Sequence, residues 1–201
     1  MKIKVALLSL AGFFFFLAAC QNDAAKKEST AAEDVVYLEK GISIAGATFS
    51  VLSGQLQKAL KEGGVANAVQ YCNLAAMPLV DSLSRVHQAQ IRRTSTKVRN
   101  PEDQPTLEEK LMLEDYAKKA REGKALQPVV RTIDDNTVAF YAPIMTVAFC
   151  LQCHGKVGET LKSEDYALIQ QLYPDDQAIG YEEGNLRGRW SIQFGTADGG
   201  R

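Results

Sequence analysis

Cys150-Leu-Gln-Cys153-His154 constrains this chain more than any other stretch. Two thiols three positions apart, followed at once by a histidine, are what covalent haem attachment requires. Each thiol can add to one vinyl group of the porphyrin to form a thioether, and the adjacent imidazole is then held beneath the iron as an axial ligand. Two other chemistries use a Cys-x-x-Cys pair: a redox dithiol, or half of a zinc site. With four Cys and two His in 201 residues, a zinc site would have to recruit Cys72 or His87 as isolated, distant ligands, because no second closely spaced pair exists. One covalent haem c, held by Cys150 and Cys153 with His154 on the iron, is the expected cofactor.

The amino terminus indicates where this chemistry takes place. Lys2 and Lys4 precede an uncharged run from Val5 to Leu17, which includes Phe13 to Phe16 and is followed by Ala18, Ala19 and Cys20. The apolar run is too short for a stable span and has the form of a secretory signal. Leu17-Ala18-Ala19-Cys20 also resembles the lipobox of bacterial lipoproteins, in which the cysteine is acylated and becomes the first residue. Several acyl chains on one residue suffice for lasting attachment, whereas one is marginal. The expected organisation is a signal peptide over 1–19, a flexible tether over 20–34 beginning at lipidated Cys20, and one haem c domain over 35–201. The location is then extracytoplasmic and lipid-anchored, facing the periplasm or cell surface. Gln21 in place of Asp after the cysteine points to the outer membrane. The formal net charge of −1 gives no reason to propose nucleic acid as a partner.

Apolar residues at three- and four-residue steps, Leu38, Ile42, Ala45, Phe49, Leu52, Leu56 and Leu60, predict a long amphipathic helix ended by Gly63-Gly64. A second helix is expected from Val65, with Val69, Cys72 and Ala76 on one face and an interruption or bend at Pro78. Ile91 to Val98 has strand character up to Asn100-Pro101. Thr106 to Ala120 reads as a helix, with Thr106 as a cap before Glu109. Val129–Ile133 and Thr137–Val147 flank Asp134-Asp135-Asn136 as a hairpin. A short helix over Ser163–Tyr173 and a closing strand over Arg189–Phe194 complete an α+β domain.

Cys72 has two readings from the residues alone: a small hydrophobe on a buried helix face, or an axial ligand. Met77, Met112, Met145 and His87 are the rival ligands. Met145 lies too close to Cys150 in the leading strand to reach the opposite haem face easily, and His87 falls at a helix end. Arg93, Ser95, Lys97 and Arg99 share one face of the predicted strand at two-residue spacing. They could hold the haem propionates by charge-assisted hydrogen bonds, or form a solvated face. Asp175 and Asp176, between Pro174 and Gly180, read as turn formers.

Four motifs together carry a family resemblance: Tyr71-Cys72-Asn73-Leu74-Ala75; Arg93 to Pro101; Cys150 to Gly155; and Tyr173 to Tyr181 with Gly184 and Arg187-Gly188. Over about Val35 to Phe194 the chain resembles a family of single-haem c proteins whose cyanobacterial structural representative has a PAS-like antiparallel sheet and histidine/cysteine axial ligation. The resemblance implies that His154 and Cys72 are the two iron ligands. It also implies a PAS-like sheet behind the long N-terminal helices. A thiolate stabilises ferric over ferrous iron, so such a haem has a low reduction potential. One-electron transfer with an unidentified redox partner protein is the expected function, and a haem-based redox or gas sensor acting through a separate partner is the alternative. No output domain or second hydrophobic span precedes Arg201, which favours the carrier. A haem enzyme with a vacated iron site comes third, since six-coordinate iron has no vacancy for substrate.

Overall fold

The computed structural model describes residues 19–134 and 136–195, and for residues 19–30 the backbone alone. The expected signal sequence therefore lies outside the described residues, as does the side chain of Cys20. Residues 1–35 and 36–201 are separate compact units. Residues 20–34, expected as a tether, are helical backbone. Apart from the first turns of α1, everything below concerns the second unit.

Helix α1 runs from Ala19 to His87, with non-helical backbone inside it only at Gly63 and Gly64. Gly64 has φ +66°, a left-handed conformation that a side chain would strain. The expected break between two helices is thus a glycine hinge that joins them. Of the interruption or bend expected at Pro78, the interruption does not occur: α1 continues through it to His87. Proline removes one amide donor, and the carbonyl it leaves free belongs to Leu74, which is fully on the solvent side, where water can satisfy it.

Strands β1 (Gln90–Thr94), β2 (Val129–Asp134), β3 (Thr137–Met145) and β4 (Leu186–Gly195) form one antiparallel sheet in the order β1-β4-β3-β2. The β2–β3 hairpin and the closing strand stand where the sequence predicts them. With the long helix in front, this is the expected α+β, PAS-like architecture. Alternate residues of β3 and β4, among them Phe140, Ala142, Trp190 and Ile192, pack with Ile44, Ala45 and Leu52 of α1. By composition α1 between Ala31 and His87 is long and apolar enough to cross a bilayer. Ile44, Ala45, Leu52, Ala76 and Val80 of this helix are buried in the core, whereas Val36, Ile42, Phe49 and Leu74 are exposed.

The opposite face of the sheet is covered by α2 (Leu107–Arg121), which opens with the expected capping box between Thr106 and Glu109. Glu109 also reaches the buried Arg189 of β4 at 3.4 Å and Arg92 of β1 at 3.6 Å. The Arg189 guanidinium lies 3.9 Å from the Tyr141 ring centroid. Buried charge here ties α2 to three strands. After the one-turn helix α3 (Leu151–His154), α4 (Ser163–Leu172) packs through Ile169 and Tyr173 beside it against Val69 of α1.

Candidate cofactor site

A cavity of about 250 Å³ opens where α1, the end of β1, the start of β4 and the segment around α3 converge. Phe49, Leu56 and Leu60 line it before the hinge of α1, and Val69, Cys72 and Met77 after it. Phe49 was expected on the buried face of its helix, yet it is 50% exposed. The sheet is approached instead by the small residues Gly41, Ala45 and Thr48, and the Phe49 ring is left as cavity wall. Cys150, Cys153 and His154 also line it, as does Trp190 of β4, which belongs to the sheet core.

His154 Nδ1 lies 2.7 Å from the Ala178 carbonyl oxygen. A carbonyl only accepts, so Nδ1 carries the hydrogen and Nε2 keeps its lone pair free for a metal. Burial, helped by Arg187 and Arg99, pushes the imidazole well below its usual pKa, which keeps it neutral as a ligand must be. The segment after α4 grips the motif twice more. Tyr181 N donates to His154 O at 3.0 Å and Gly180 N donates to Gly155 O at 2.9 Å. A Cβ at Gly155 would meet Thr160 Oγ1 at 2.0 Å and the Leu151 carbonyl at 2.5 Å, so α3 can be turned off only by glycine.

Cys72, Cys150 and Cys153 are all free and half-buried. Burial raises the Cys153 thiol to about 11 against the lowering effect of Arg99. A redox dithiol needs the reverse shift, towards the thiolate. Burial also raises the Cys72 thiol, opposed by Arg93 and Arg99. The zinc alternative lacks a ligand set: among the described residues no cluster of three or more His, Cys, Asp or Glu side chains is arranged to hold a metal ion. Of the rival axial ligands, Met77 lines the cavity with Cys72, whereas Met112, Met145 and His87 do not.

The family model for Tll0287-like proteins matches residues 20–194. The chain belongs to the Tll0287-like family. Among solved structures it is similar to the cyanobacterial heme-protein Tll0287, with 23% identity, a TM-score of 0.52, and coverage of 77% of this chain and 96% of that one. That likeness is one of fold. No curated protein sequence gives a significant match.

Within this Tll0287-like fold the four candidate propionate contacts separate. β1 ends at Thr94, not Val98, so Arg93, Ser95, Lys97 and Arg99 do not share a strand face. The Ser95 hydroxyl donates to the Arg187 carbonyl at 2.7 Å and accepts from Lys97 N at 3.1 Å, which turns the chain out of the sheet. Lys97 bonds the Ile179 carbonyl and lies over the Tyr181 ring. Arg99 forms a two-pronged pair with Asp176, at 3.2 and 3.0 Å, and donates to the Cys153 carbonyl at 2.7 Å. Arg93 alone of the four lines the cavity without a hydrogen bond or ion pair among the described residues.

Two functional residues escaped the sequence reading. Asp176, read as a turn former, is the buried counter-ion of Arg99 and also accepts from Ala178 N at 2.9 Å, setting the carbonyl that orients His154. Arg187 sat inside a quoted motif with no role, and it lines the cavity. Its flanking Arg187-Gly188 pattern was the available signal: a Cβ at Gly188 would meet the Thr94 carbonyl at 2.5 Å.

Proposed function

We propose that this chain carries one haem c, joined to Cys150 and Cys153 and ligated by His154 and Cys72, and that it transfers single electrons at low potential. The observation that carries the reading is the cavity itself. Cys72 of α1 is brought from nearly eighty positions away to the same mainly apolar space that Cys150, Cys153 and His154 line from the segment around α3. When bound, the haem supplies a ferric/ferrous couple. The chain's own residues do the rest. The Ala178 carbonyl holds His154 in one tautomer, and such outer partners tune a ligand's basicity. Phe49, Leu56 and Leu60 give the cavity an apolar wall. Cys72 adds a negative charge that favours the ferric state.

Oxidised and reduced spectra of the parent and of Cys72→Ala test the ligand set. The variant is expected to lose the low-spin thiolate signature. Its potential is expected to rise by at least about 59 mV, a tenfold change in a one-electron equilibrium. Unchanged low-spin signals would remove Cys72 from the iron. The sensor alternative draws on one observation, the presence of Met77 on the same cavity wall; a distinct ligand signature in the reduced parent would favour it.

The lipoprotein reading of Cys20 and an outer-membrane location complete the proposal. A lipid surface is one partner and a redox protein the other. Metabolic labelling with a fatty acid should mark the parent and not Cys20→Ala, and the variant should leave the membrane fraction. Equal label in both would exclude acylation at this residue.

A further inference from the structure

Arg93 and Arg187 meet at the polar edge of the cavity. The last pairs of β1 and β4 are Arg93 with Trp190 and Thr94 with Arg189, and Gly188 lets the two backbones close beyond them. That contact delivers Arg187 to the edge that Arg93 already lines. The cavity has three lining arginines and one lining carboxylate, Asp103. Arg99 is neutralised by Asp176, which stands behind it. Neither Arg93 nor Arg187 has an ion pair of 4 Å or less among the described residues.

Arg187 is the more demanding of the two. Its Nη1 donates to the Lys97 carbonyl at 3.2 Å, and its guanidinium lies 5.3 Å from the Tyr181 ring centroid. Its buried Nε has no hydrogen-bond partner. Stacking on Tyr181 satisfies the face of the guanidinium and none of its N–H groups. A buried charged donor without an acceptor is costly. A planar carboxylate is the acceptor that a guanidinium fork matches best. Asp103 does not fill that place. Its side chain makes no ion pair, and burial raises its pKa against the combined pull of Arg93, Arg187 and Arg92.

We propose that Arg187 and Arg93 form the carboxylate clamp that receives the two haem propionates. The clamp rests on the haem reading above. It replaces the expected Ser95, Lys97 and Arg99, whose polar groups are already engaged within the protein. Two guanidiniums without counter-ions stand opposite two carboxylates, and the clamp fixes which edge of the ring faces the β1–β4 junction.

The test uses the mature, full chain. Arg187→Gln and Arg93→Gln each remove a positive charge near the iron, and reduction adds a negative one, so both potentials fall. The expected loss is about tenfold in the reduction equilibrium, or about 59 mV. Arg187→Lys, which keeps the charge and loses the fork, retains most of the parent potential but shifts the propionate bending band in resonance Raman spectra. An arginine that lies near the iron without holding a propionate also lowers the potential when its charge is removed, but it leaves the propionate bending band of Arg187→Lys unmoved. Potentials within twofold of the parent equilibrium in both Gln variants, with pigment retained, would overturn the clamp. Should Arg187→Gln fail to accumulate, the Raman band of Arg187→Lys and Arg93→Gln decides: displaced supports the clamp, unmoved overturns it. Absence of covalent pigment from the parent would instead overturn the haem reading, and the clamp with it.

Discussion

With Cys150→Ala and Cys153→Ala combined, the purified protein is expected to lose all covalent pigment: acidified organic solvent should extract every trace of colour from the variant and leave the parent coloured. On the proposed attachment the effect is all-or-none, because two thioethers would be the only bonds from porphyrin to chain that acid leaves intact. Ligation by His154 and Cys72 would not survive, since acid protonates both imidazole and thiolate. Either single substitution leaves one thioether, so its pigment should stay with the chain while the absorption bands shift. Intact mass checks the same point, with the haem mass increment present in the parent and both single variants and absent from the double. The structure adds a reason to expect clean attachment. Cys150 and Cys153 stand on consecutive short turns, residues 148–150 and α3, at the cavity wall rather than in a disulfide. Complete extraction from the parent would remove the covalent assignment and with it the low-potential carrier.

Local rules located the parts of this fold that local rules build. The capping box of α2, the Gly63-Gly64 hinge and the β2–β3 hairpin depend on residues within a few positions of one another. The failures share a different cause. Arg93 to Arg99 has a period of two, yet the strand needs a partner, and β1 and β4 stop pairing at Thr94 and Arg189. Ser95 then bonds Arg187 across 92 positions, and Arg99 pairs with Asp176 across 77. No local pattern announces such pairs. At Pro78 the interruption does not occur, because the helix on both sides is held by packing and the freed Leu74 carbonyl lies towards solvent. The Cys-x-x-Cys-His motif can be read locally because its three chemical residues lie within five positions. Its supports, Ala178, Tyr181 and Asp176, lie more than twenty positions downstream and act largely through backbone groups that any residue carries.

Asp176→Ala should destabilise the protein more than any other single change at the site. The side chain is fully buried and its partner Arg99 is only 12% exposed. Removing one member of such a pair strands the other charge, at about 3–5 kcal/mol. For a chain of this length that lowers the thermal midpoint by roughly 10 °C. Two further bonds go with it: Ala178 N loses its acceptor, and Arg99, which also holds the Cys153 carbonyl, is no longer fixed. The loop that orients His154 is therefore loosened, and the oxidised spectrum should broaden even in the fraction that remains folded. Asp176→Asn separates the contributions. It keeps an acceptor for Ala178 N and gives up the charge, so it should fall between parent and Ala variant. Combining Arg99→Gln with Asp176→Asn removes both charges and should recover part of the loss, a positive coupling in the double-mutant cycle. A midpoint for Asp176→Ala within about 2 °C of the parent would show that Arg99 finds its counter-charge elsewhere, and that the Arg99–Asp176 pair does not hold the cleft together.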